Sequence, residues 1–114
     1  ALTDLVREHG LTLPCADGAG SGGTRSWFVY VLQLPEGGTP RDTVINRLRD
    51  AGIPSKPYLP AIHLMSYYRE QFGGREGQFP VAESVAARSI ALPFFPAMTE
   101  GQVAQVVEAL TAAL

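Results

Sequence analysis

Gly52-Ile53-Pro54-Ser55-Lys56-Pro57-Tyr58-Leu59-Pro60-Ala61-Ile62-His63-Leu64-Met65-Ser66-Tyr67-Tyr68 occupies the middle of a 114-residue chain. Prolines at 54, 57 and 60 fix φ and remove backbone donors, so this stretch cannot be a helix through its first half. It is at best an edge strand or stiff extended chain, with Ile53 to Tyr58 the expected strand. A rigid, irregular segment that carries Ser55, Lys56, Tyr58 and His63 suits two roles: a connector, or a loop that holds polar groups over a ligand. The residues of this segment alone leave both open.

On its N-terminal side lies a helix with clear end signals. Thr39 is the expected N-cap, Pro40 the first helical residue, Asp42 the partner in a capping-box-like role, and Gly52 follows the end. Val44, Ile45 and Leu48 form its expected buried stripe, with Arg41, Arg47, Arg49 and Asp50 on a solvated face. Before it, Ser26 to Leu34 is rich in aromatic and β-branched residues and reads as the central strand. Its apolar run from Trp27 to Leu32 does not alternate, as in strands covered on both faces. The chain opens with a helical face of Leu2, Leu5 and Val6 stopped at Gly10, and Leu11 to Pro14 reads as a short strand. Asp17 to Thr24 is a glycine-rich loop without the Lys-Ser/Thr ending of a phosphate-binding loop.

On the C-terminal side, Met65 to Phe72 reads as a short helix and Gly73 to Gly77 as a turn. A helix from Phe79-Pro80 to Arg88 should bury Val81, Val85 and Ala86. Ser89 to Leu92 is a short strand stopped by Pro93. The last helix opens with a Thr99/Gln102 capping box and a Met98 to Val103 staple, and presents Val103, Val106, Val107 and Leu110 to the core. The alternation implies an α/β (α+β) domain: a small, mainly antiparallel sheet of about three to four strands, packed with helices.

Composition narrows the function. A hydrophobic content of 46% supports one real core, and a net charge of −2 with scattered cations argues against nucleic-acid binding. The apolar runs fall short of the roughly 20 residues a membrane span needs, and the N-terminal residues lack the order of a signal peptide, so a cytoplasmic protein is expected. Cys15 is the sole cysteine and is assigned no role; Cys15→Ser should leave the protein unchanged. Two histidines 54 positions apart give no metal-ligand spacing, and there is no nucleophile elbow. Lys56 is the sole lysine, but proline neighbours do not make the desolvated pocket of a Schiff-base amine. His63, between Ile62 and Leu64, reads equally as a packed histidine or a ligand contact.

Taken in order, the stretches Ser-Trp-Phe-Val-Tyr-Val, Arg-Asp-Ala-Gly-Ile-Pro-Ser-Lys-Pro-Tyr-Leu-Pro-Ala-Ile-His-Leu, Phe-Pro-Val-Ala-Glu and Ala-Leu-Pro-Phe-Phe-Pro-Ala-Met-Thr resemble one family. They are similar to the C-terminal small domain of nucleotide-sugar aminotransferases of the DegT/DnrJ/StrS type, pyridoxal-phosphate enzymes of fold type I. The resemblance implies that residues 1–25 are the end of an inter-domain helix, a short strand and a glycine-rich loop, and that 26–114 are the small domain. The large domain, which carries the Schiff-base lysine and the cofactor's phosphate-binding groups, would lie outside this chain, in keeping with a start that has no methionine and no N-cap.

The resemblance further implies substrate-binding roles for Lys56, Tyr58 and His63, with no catalytic, cofactor-binding or metal-binding residue on this chain. Tyr58 and His63 would hydrogen-bond the sugar or its diphosphate, and Lys56 would offer a cation to phosphate oxygens where many relatives carry arginine. The intact enzyme would be a homodimer that moves an amino group from glutamate, through pyridoxal phosphate, to a keto group of a nucleotide-linked sugar. The alternatives are a non-catalytic α/β binding or regulatory module of the same fold, and the family's sugar-dehydratase branch.

Overall fold

A computed structural model describes residues 2–14 and 27–114. Cys15 and the glycine-rich stretch 17–24 lie outside the described residues. The elements in chain order are α1 (Leu2–His9), β1 (Tyr30–Gln33), α2 (Arg41–Asp50), β2 (Lys56–Pro57), a 3-10 turn (Ile62–Leu64), α3 (Ser66–Phe72), α4 (Pro80–Arg88), β3 (Ser89–Leu92) and α5 (Glu100–Ala113). The expected mixed architecture is present as a three-stranded antiparallel sheet in the order β1-β3-β2.

The central strand is β3, not the aromatic stretch before it. All four of its residues are buried. The hydroxyl of Ser89, the one polar residue buried as a whole among the described residues, donates to the Val85 carbonyl at 2.7 Å. β1 is shorter than the sequence suggests because its ladder ends where Tyr30 faces Leu92. The next partner would be Pro93, which has no N–H to donate. Residues 27–29 therefore leave the sheet, and Trp27 stacks on Tyr30 with centroids 5.9 Å apart. The expected 11–14 strand is reduced to a single bridge, Thr12 with Gln33, with N···O distances of 3.0 and 2.9 Å.

The core joins β1 and β3 to α2, α5 and α1. Leu32, Leu34, Val44, Leu48, Ile90 and Leu110 are fully buried, with Leu5 and Leu11 completing the cluster and Leu2, Val6 and Ile45 packed against it. Gly10 ends α1 with φ +67, and its N–H reaches the Val6 carbonyl at 3.1 Å.

α2 starts one residue later than its cap signals imply. Pro40, with extended backbone, occupies the N-cap position, and no side chain caps the helix. Thr39 instead donates its hydroxyl to the carbonyl of Leu114, and Asp42 pairs with Arg41 at 3.0 Å. Two of the arginines assigned to a wet face are tertiary ties. Arg41 donates to the Ala86 carbonyl at 2.7 Å and Arg47 to Ala113 at 2.9 Å, the latter placing a cation on the C-terminal carbonyls of α5. The Thr99/Gln102 capping box of α5 is present in both directions. Val106 and Leu110 are buried as expected, whereas Val103 is exposed and shares an apolar hollow of about 410 Å³ with Met98. No lysine, histidine or carboxylate lines that hollow.

α4 has no buried residue. Val81 is exposed, and Val85 and Ala86 are only half-buried because they line a groove.

Candidate functional site

The proline segment reaches the sheet for two residues. Lys56 faces Ala91 and Pro57 faces Ile90, and the Tyr58 N–H donates to the Ser89 carbonyl at 3.3 Å. Pro54 and Pro57 can donate nothing, which limits this edge strand to a short pairing. At Leu59 the backbone takes φ +43, a left-handed conformation that turns the chain out of the sheet. The chain then passes through Pro60 into the 3-10 turn that carries His63.

These turns enclose one side of an open, largely apolar groove of about 730 Å³, whose other side is α4. Tyr58, His63, Tyr68 and Phe79 are among its lining residues. Tyr58 and His63 are therefore brought together. Lys56 is not on that groove: it is exposed and lines a separate hollow of about 300 Å³ with Phe28, Ser55 and Phe94. Ser55 Oγ is the one buried side-chain polar atom without a partner among the described residues.

His63 is held on several sides. Its Nε2 lies 2.9 Å from Glu83 Oε1, and its ring meets Phe79 edge-on at 4.9 Å. Glu83 Oε1 also accepts the Phe79 N–H at 3.1 Å, and Oε2 accepts the Gly77 N–H at 3.0 Å. The Gly77 amide, then the His63 ring and the Phe79 amide, hold the Glu83 carboxyl below its ordinary value, outweighing partial desolvation. Both side chains are mostly sequestered, with 14% of His63 and 20% of Glu83 exposed. The loop after α3 closes over the back of this cluster at Gly74, where a Cβ would lie 1.9 Å from the His63 carbonyl oxygen. Only a glycine fits there.

Glu83, Phe79 and Gly74 escape a reading by residue type, which assigns carboxylates on helices to solubility. A signal was present. In a helix begun by Pro80, an acid four residues after Phe79 lies one turn from the unsatisfied N–H groups of the helix start.

This arrangement lies within a chain whose residues 1–111 match the model of the DegT/DnrJ/EryC1/StrS aminotransferase family. The chain belongs to that family. The DegT/DnrJ/EryC1/StrS chain is 35% identical over 91 residues to the spore coat polysaccharide biosynthesis protein SpsC of Bacillus subtilis, covering 77% of this chain and 23% of SpsC. Its backbone superposes on the aminotransferase TlmJ from Streptoalloteichus hindustanus with a TM-score of 0.72 at 30% identity, over 91% of this chain and 26% of TlmJ. The aminotransferase from Psychrobacter cryohalolentis shares the fold, with a TM-score of 0.77 at 18% identity over 97% of this chain and 30% of that one. The chain thus spans about a quarter of the length of the relatives it matches.

Pyridoxal phosphate, the cofactor that family membership implies, does not fit the residues described. Its covalent partner would be Lys56, which is exposed on a sheet edge beside a hollow whose lining has no carboxylate to face a pyridine nitrogen. Among the described residues no cluster of three metal-ligating side chains occurs, and no helix is long and apolar enough to cross a membrane.

Proposed function

We infer that this chain is the substrate-side, C-terminal portion of a pyridoxal-phosphate-dependent sugar aminotransferase. The observation that carries the reading is the groove that brings Tyr58 and His63 together, within a chain matched over residues 1–111 by an aminotransferase family. Residues 1–25 enter from the inter-domain helix and 26–114 form the small domain. A large domain, supplied by the rest of the whole protein, holds pyridoxal phosphate, which carries the amino group from glutamate to a keto group of a nucleotide-linked sugar.

The residues of this chain orient the acceptor. Tyr58 and His63 contact the sugar from the groove, and Lys56, on the neighbouring hollow, offers its ammonium to a phosphate oxygen. An open groove with apolar walls and two polar side chains suits a sugar ring stacked on aromatic faces while its polar groups are held at fixed points. The exposed apolar side chains of the 59–81 region, Phe72 and Phe79 among them, support docking against the large domain or the second subunit of a homodimer. The absence of a membrane-length apolar helix among the described residues is consistent with a cytoplasmic location for the whole protein.

The test is kinetic and uses the full-length protein. His63→Ala should raise KM or lower kcat for the keto-sugar half-reaction about tenfold while sparing the half-reaction with glutamate, as expected for one lost hydrogen bond and its desolvated partner. Equal damage to both halves makes His63 a fold-holding residue. A full-length protein that yields no amino sugar from any nucleotide-linked keto sugar overturns the functional reading.

A further inference from the structure

The cluster at the groove's edge fixes which nitrogen of His63 is committed to Glu83 and which is left for a ligand. The Glu83 carboxylate already accepts two backbone N–H groups, Gly77 on Oε2 and Phe79 on Oε1, and its third close partner is His63 Nε2 at 2.9 Å. An ionised carboxylate can only accept hydrogen bonds. Nε2 must therefore carry the proton, and in a neutral imidazole the other nitrogen, Nδ1, then holds a lone pair. Among the described residues Nδ1 makes no hydrogen bond and is not one of the buried unpartnered atoms, on a side chain that lines the groove and is 14% exposed.

We propose that Glu83 is a positioning residue that locks His63 in the Nε2–H tautomer and presents Nδ1 to the groove as a hydrogen-bond acceptor. In the neutral imidazole the group bound at that point is a donor, such as a sugar hydroxyl, rather than a phosphate oxygen, which can only accept. The hydroxyl assignment deepens the substrate-side reading given above and rests on it; the tautomer does not.

The fit extends to the scaffold around the pair. Gly74 lets the loop come up against the His63 carbonyl, and Phe79 packs edge-on against the ring, so rotation about the side chain is restricted while Nε2 is engaged. The same carboxylate that ties Gly77 and Phe79 to the start of α4 thus also sets the direction in which His63 can accept a bond.

Two measurements separate the parts of the proposal. The first is a two-bond 1H–15N correlation spectrum of the chain labelled at histidine, at a pH where the imidazole is neutral, with His9 as internal control. A single Nε2–H tautomer at His63, kept in Glu83→Gln and exchanging freely in Glu83→Ala, is expected. A Nδ1–H form or an even mixture in the unmodified chain overturns the proposal.

The second measurement uses the full-length protein. Glu83→Ala should raise KM for the nucleotide-linked sugar about tenfold, with Kd for the nucleoside diphosphate alone unchanged, and Glu83→Gln should restore KM. Parallel weakening of sugar-nucleotide and nucleoside diphosphate overturns the hydroxyl assignment. A full-length protein that aminates no nucleotide-linked sugar removes the functional reading and the hydroxyl together, whereas the tautomer is decided by the spectrum.

Discussion

The sheet with α2 and α5, and the shelf formed by residues 51–88, are stabilised in different ways. The first contains the largest fully buried side chains among the described residues, Leu32, Leu34, Val44, Leu48, Ile90 and Leu110. The second has no buried residue from Ala51 to Arg88, and exposes Leu59, Ile62, Phe72, Phe79 and Val81. What orders the shelf is polar: Glu83 with two backbone amides and His63, and Arg69 on the Leu64 carbonyl at 2.8 Å. Hydrophobic burial scales with area removed from water, so a region that buries little depends on hydrogen bonds whose net worth is about 1 kcal/mol each. Such a surface suits substrate and partner contact, since its apolar groups have not yet been consumed by the core.

That contrast predicts unequal responses to substitution. Leu48→Ala removes a fully buried side chain between α2 and the sheet and should cost about 2–5 kcal/mol, read as a lower midpoint in denaturant melts. A loss under 1 kcal/mol would place the core elsewhere. Gly74→Ala should cost about 1–3 kcal/mol, because the new methyl collides with the rigid His63 carbonyl. Its signature is local: faster amide exchange at residues 74–79 with protection of β3 retained, and a global loss of protection would show that the shelf and core fold as one unit.

Thr99→Ala removes the capping box of α5 and should cost about 1 kcal/mol in the same melts, an effect confined to the core side. The smallest effect is one of pH. Because the folded-state pKa of Glu83 lies below that of an ordinary glutamate, its contribution to stability is fully present above the ordinary value. It is lost as pH falls through the depressed folded-state value. The difference in Tm between the unmodified chain and Glu83→Gln should therefore shrink on acidification below the ordinary glutamate range. A difference that stays constant would show that the carboxylate is not selectively held in its ionised form.

The elements with local signatures were legible in sequence. The helix over 41–50 follows from Pro40, Gly52 and the Val44/Leu48 spacing, and the start of α5 from Thr99 and Gln102, because capping and periodicity are interactions within a few residues. The proline segment was legible as a weak edge strand, since prolines at 54 and 57 constrain the ladder whatever surrounds them. The rank of the strands was not. Ser26–Leu34 has more β-forming residues than Ser89–Leu92, yet the latter lies in the middle of the sheet. The same limit applied to the site: the sequence did not show that Tyr58 and His63 share a groove while Lys56 lines another hollow, and the Glu83 partner was invisible twenty positions away from His63.

The existence of α2, the capped start of α5 and the stiffness of residues 52–60 were thus properties of the chain as written, because each rests on covalent geometry or on neighbours within a turn or two. Which strand is central, which arginines bind helix-end carbonyls, and which nitrogen of His63 is left free all depend on groups far apart in sequence. Those outcomes follow from where packing brings donors and acceptors together, which no local propensity encodes.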